Sequence, residues 1–177
     1  MKLIKFFLIY LLCTSIQAIA KEYFYILNDN CINILYQEAN SQLKNSDVDI
    51  LRDSRGIIIR YNLKNPHSEF YGISSKTYKK IKEMEYFLAK IENPAIIEVH
   101  IGELVRQEAG TLKKWEISTV IANNIESIMT KPSGTIDQDR INSIGYGEFL
   151  PAKNTSNNGG KEANRIDIIV LCNISGE

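Results

Sequence analysis

Two residues of this 177-residue chain stand where they could do acid–base chemistry. Glu98 and His100 are two apart in Ile97-Glu98-Val99-His100, so a strand points both side chains to one face. A carboxylate beside an imidazole is a general acid–base pair. Nothing marks a nucleophile or a substrate pocket next to them, and a histidine at a strand end equally serves to bond the adjacent loop. Trp115 and Tyr146 offer ring faces on which a sugar could stack, although aromatics beside apolar strands more often pack. Gly145-Tyr146-Gly147 has the spacing of two phosphate-loop glycines, but the third glycine and the following helix are lacking. Those glycines read instead as a turn. Cys31 and Cys172 have no metal-ligand spacing to another Cys or His, so no zinc site is supported. The expectation is a non-enzymatic protein without metal or cofactor.

Composition narrows the class further. The chain is 44% apolar and 24% charged, which is globular. It carries 21 basic and 21 acidic residues with no long basic stripe, which argues against a nucleic-acid partner. Lys2 and Lys5, the apolar run Phe6 to Cys13 and the ending Ala18-Ile19-Ala20 form the three regions of a secretory signal peptide, residues 1–20. The apolar run is shorter than the roughly 20 residues a membrane-spanning helix needs. Leu12 stands where a lipid-modified Cys13 would want a small residue. Removing residues 1–20 would leave 19 basic and 21 acidic residues, a net charge of −2. The expected location is the periplasm, with membrane contact only through the export signal or a partner. In that compartment Cys31 and Cys172 either form a disulfide or remain two buried thiols.

Positioning these residues requires ordered elements. Tyr23 to Ile26 predicts a short strand, and Ile32, Leu35, Tyr36, Ala39 and Leu43 recur at helical spacing. Residues 45–53 read as a polar loop, so 21–54 is taken as an extension and 55–177 as the main domain. That domain opens with the β-branched strand Gly56 to Tyr61. A helix follows from Ser74-Ser75, with Tyr78, Ile81, Met84, Leu88 and Ile91 as its apolar stripe, ended by Asn93-Pro94. The strand Ala95 to Ile101 turns Ile97, Val99 and Ile101 to one face. A second helix carries Ile117, Val120, Ile121, Ile125 and Ile128. Strands at Arg140–Ile144 and Arg165–Leu171 close the domain, the latter continuing its apolar face to Cys172. The order is β-α-β-α-β-β, an α+β two-layer sandwich with a mixed sheet and helices on one face.

Four stretches in this order resemble the OmpA-like (OmpA/MotB) peptidoglycan-associating domain over roughly residues 55–172. Ile97-Glu98-Val99-His100 resembles the end of that family's second strand. Trp115-Glu116-Ile117-Ser118-Thr119 is similar to the W-E-L-S segment of its flagellar stator subgroup. Arg140 to Glu148, with Pro151 and Asn154 behind, resembles the third strand and glycine turn, and Asn164-Arg165-Ile166-Asp167-Ile168 the closing strand. The resemblance implies non-covalent binding of the cell-wall peptide stem. In the family an Asp holds the ammonium of a diaminopimelate side chain, and an Arg in the following helix grips its carboxylate.

Here the family Asp is replaced by Gly102 and the family Arg by Ile121. Charge-assisted hydrogen bonds are worth roughly 1.5–3 kcal/mol each, so losing both weakens binding by about two to four orders of magnitude. The residues left to hold a peptidoglycan ligand are His100, Glu103, Lys114, Asn154 and Arg165, with Lys113 as further charge. Two partner classes follow. Either the domain binds peptidoglycan weakly, or it serves as an interaction subunit of an envelope secretion or motility complex. A binder should present a polar groove around Gly102, Lys114 and Arg165; a scaffold should expose Ile121 in an apolar patch.

Overall fold

A computed structural model describes residues 28–63, 69, 72–102, 113–149 and 164–172. The signal-peptide segment and the strand expected near Tyr23–Ile26 lie outside the described residues. Among the described residues, no helix is long and apolar enough to cross a membrane.

The elements are helix α1 (residues 28–42), β1 (Asp49–Asp53), β2 (Gly56–Asn62), α2 (Ser75–Leu88), β3 (Ala95–His100), α3 (Lys114–Met129), a single 3-10 turn (Gln138–Arg140), β4 (Ile141–Gly147) and β5 (Arg165–Leu171). The five strands form one mixed sheet in the order β1-β2-β5-β3-β4. All neighbours are antiparallel except β3 and β4. The α+β reading with a mixed sheet therefore holds. The segment read as a polar loop differs: Asp49–Asp53 is an edge strand paired with β2. Its tight connection through Ser54-Arg55 brings it back against β2, and that pairing overrides a weak apolar pattern.

Register explains the core. Ile59 of β2, Ile168 of β5 and Ile97 of β3 are direct neighbours across the sheet, and Tyr61, Ile166 and Val99 form the next row. These residues are buried in one cluster with Ile32, Leu35, Ala39 and Leu43 of the α1 segment, with Ile81, Met84 and Leu88 of α2, and with Ile117, Ile121 and Ile125 of α3. The helices thus share one face of the sheet. Tyr78 and Val120, expected on the apolar stripes, are instead exposed. Thr77, Ile81, Met84 and Leu88 complete the α2 stripe, and Tyr78 lies one residue further round the helix.

Local capping sets the helix ends. The Ser74 hydroxyl accepts from Thr77 N–H, and the buried Glu69 carboxylate accepts from Ser74 N–H and from both hydroxyls. At the other end of α2, the Arg140 guanidinium donates to the carbonyls of Leu88, Ile91 and Asn93. Helix α3 lies directly against β4. A Cβ on Gly145 would stand 2.2 Å from the Thr119 nitrogen, and one on Gly147, at φ +53°, 2.8 Å from the Trp115 nitrogen. These glycines are strand residues admitting a helix backbone, not the turn that their spacing suggests.

Cys31 and Cys172 form a disulfide with Cα atoms 5.9 Å apart, joining α1 to the end of β5 across 141 residues of sequence. Of the two readings open from the sequence, the disulfide is the one observed. Replacing both cysteines with serine should lower unfolding free energy by about 2–5 kcal/mol. Urea denaturation checks this, and an unchanged midpoint would show that packing alone holds α1. Gly145→Ala should cost about 1–3 kcal/mol by forcing α3 off β4, also read as a urea midpoint; no loss would show that the helix shifts freely.

Candidate functional site

The ends of β3, β4 and β5 meet the start of α3 at one edge of the domain. Gly102 follows β3 and donates its N–H to the Asn164 side-chain oxygen at 2.9 Å. Asn164 precedes β5 and also accepts from Leu63 N–H through its carbonyl. Ile101 N–H donates to the Gly147 carbonyl, fastening β3 to β4. Lys114 opens α3 and donates its ammonium to the Gly102 carbonyl at 2.9 Å and to the Glu148 carboxylate. The result is a polar rim of one lysine, one carboxylate, one amide and a glycine backbone. Lys113 stands exposed beside it, its N–H given to Glu116. Trp115 is 46% exposed and Phe149 74% exposed on the same two elements, α3 and the residues after β4.

A second constellation lies on the sheet face away from the helices. Arg60, Asp167 and Glu98 are direct cross-strand neighbours, followed by the row Asn62, Arg165 and His100. Arg60 grips Asp167 through two bonds of 2.7 and 2.8 Å, and Arg165 donates to the same carboxylate at 2.9 Å. Arg55 reaches Glu98 at 3.3 Å while also bonding Asp53 at 2.8 Å. The Asp53 hydrogen bond holds the Arg55 guanidinium above its ordinary value. Desolvation opposes that rise and Glu98 adds to it, so Arg55 stays a cation. His100 is 2% exposed, stacks on Tyr146 with ring centroids 5.1 Å apart, and has no hydrogen-bond partner at either ring nitrogen among the described residues.

The sequence-derived site residues are thus divided. Lys114 sits on the rim next to Gly102. His100 and Arg165 belong to the buried charged rows, and Arg165 is turned to Asp167 rather than lining an open groove. Glu103 and Asn154 lie outside the described residues. Ile121 is 0% exposed and points into the core, so the apolar patch that a scaffold was expected to build through it does not form there. Its helical face is the one packed on the sheet. Glu148, Asn164, Arg60 and Asp167 had no site role in the sequence reading. The only sequence signal for them was that Glu148, Asn164 and Asp167 fell within the stretches carrying the family resemblance.

The architecture is the OmpA-like fold, a two-layer α+β sandwich with β5 between β2 and β3. No family model matches the chain, and no curated protein matches it. Solved structures do. A putative MotB-like protein from Desulfovibrio vulgaris superposes with a TM-score of 0.63 at 12% identity, covering 86% of this chain and 95% of the other. The cell wall anchor of the T6SS from Pseudomonas aeruginosa gives 0.57 at 14% identity, covering 77% and 96%. The periplasmic domain of Helicobacter pylori MotB gives 0.57 at 14% identity, covering 70% and 81%. The chain shares its fold with these proteins.

Removing the Asp167 charge takes their shared carboxylate from the buried Arg165 and the partly exposed Arg60. Asp167→Asn should therefore cost about 3–5 kcal/mol of stability, measured by urea denaturation at neutral pH. A loss below about 1 kcal/mol, as for exposed pairs, would show that water screens this face.

Proposed function

We propose that the chain is a non-enzymatic, exported envelope protein that contacts peptidoglycan weakly through the rim at Gly102, Lys114, Glu148 and Asn164. The observation that carries this reading is the meeting of these four residues at the end of the sheet, in a fold shared with a T6SS cell wall anchor. The rim offers an ammonium, a carboxylate and an amide, which suit the mixed charges of a wall peptide. It lacks a guanidinium fork. Ile121 faces the core, so an arginine there would have to bury its charge, and Lys114 is a point donor that grips a carboxylate less specifically. Weak association follows. Export to the periplasm agrees with the signal-like residues 1–20 and with a disulfide.

A second reading is favoured by the exposed apolar side chains of α3, β4 and the residues just after β4: Trp115, Val120, Ile144 and Phe149. In an interaction subunit of an envelope secretion or motility complex, these would meet a partner protein.

Sedimentation of the full chain with purified sacculi tests the first reading. The wild type should pellet with the wall and be released by a diaminopimelate-containing peptide. Lys114→Ala should weaken pelleting by roughly three- to tenfold, as expected for one partly exposed charged contact. No pelleting by the wild type above a control protein would overturn wall binding and leave the partner-protein reading.

A further inference from the structure

We propose that Glu98, His100 and Asp167 form a binding site for a divalent transition metal, with Zn2+ the best-matched ion. Side-chain atoms of all three lie within 4.8 Å of one another, and all three residues are buried. The imidazole Nε2 stands 3.5 Å from a Glu98 oxygen and 3.9 Å from an Asp167 oxygen. Those separations are long for hydrogen bonds. They are close to what a shared ion requires, because two ligands about 2.0–2.2 Å from a tetrahedral Zn2+ lie roughly 3.3–3.6 Å apart.

The second observation is His100 itself. Among the described residues neither ring nitrogen has a hydrogen-bond partner, although the side chain is 2% exposed. Leaving such a group unsatisfied in the interior is costly, and a cation between Nε2 and the two oxygens would satisfy Nε2. One imidazole and two carboxylates form the three-ligand set of an open zinc site, with water as the fourth ligand.

The surrounding residues act in two directions. Arg55 on Glu98, and Arg60 with Arg165 on Asp167, fix the carboxylates as outer-sphere hydrogen bonds do around a metal. Their positive charge also repels the ion, and Arg60 and Arg165 both compete directly for the Asp167 oxygen nearest His100. The site should therefore bind with modest affinity, and relieving one guanidinium should tighten it. The sequence could not reveal this grouping, because Asp167 reaches Glu98 only through the β3–β5 pairing.

Equilibrium dialysis of the untagged full chain, oxidised and stripped with chelator, gives the stoichiometry for Zn2+. Visible absorption of the Co2+ form reports the coordination number. Imidazole nitrogen NMR distinguishes His100 from His67, the other histidine of the chain. One ion per chain, tetrahedral or five-coordinate cobalt bands and a shifted His100 Nε2 are expected. His100→Gln should weaken binding by about 100-fold or more, since even outer-sphere changes cost roughly 10–100-fold. Arg165→Gln should tighten it by a few-fold. No Zn2+ bound at millimolar concentration, or binding that leaves the His100 resonances unmoved, would overturn the site. The NMR readout uses the wild type, so the assignment stays testable if His100→Gln fails to fold.

Discussion

Strand β5 lies between β2 and β3, so the sheet is incomplete until the last described strand has entered it. Every residue of β5 from Arg165 to Leu171 pairs with β2, and Arg165 to Val170 also pair with β3. The insertion joins segments more than 60 residues apart in sequence, such as Gly102 and Asn164. Loop closure of that length costs entropy that local contacts cannot recover. The compensating terms gather on β5 itself. Ile166, Ile168 and Val170 are fully buried on the helix side, Asp167 is held by two guanidinium groups on the other, and Cys172 is covalently joined to α1.

The same insertion places both sites. Because β5 starts beside the end of β3, Asn164 meets Gly102, and the start of α3 is brought to them by its close packing on β4. That packing depends on glycine at positions 145 and 147, where any side chain would collide with the helix backbone. The rim is therefore built from element ends. The charged rows are built from the middle of the sheet, where cross-strand register alone decides the partners. One strand thus serves two kinds of chemistry, hydrogen bonding to the rim just before its start and buried charge pairing along its length.

Shared fold at 12–14% identity is consistent with what the core requires. A sheet with one apolar face and three covering helices needs alternation and volume at the buried positions, and many sequences supply both. A binding site needs particular groups at particular points. Ile121 illustrates the first requirement: fully buried on the sheet-facing side of α3, it fills core volume.

Alternation and helical periodicity in the sequence determined the strand–helix order, the mixed sheet and most core residues, because burying apolar side chains is a local pattern requirement. Lys114 and Gly102, which the family resemblance set around one groove, are in contact. The edge strand at Asp49–Asp53 was not legible, since its pattern is weak and its pairing with β2 stabilises it. Tyr78 and Val120 sat one residue off the buried stripe, a 100° step that a short apolar pattern does not resolve. Only the tertiary structure decided that Arg165 turns to Asp167 and that Cys31 meets Cys172. It alone gathers Glu98, His100 and Asp167. Each of these depends on which strand neighbours which, and strand order is set by the summed packing of the whole sheet rather than by any single segment.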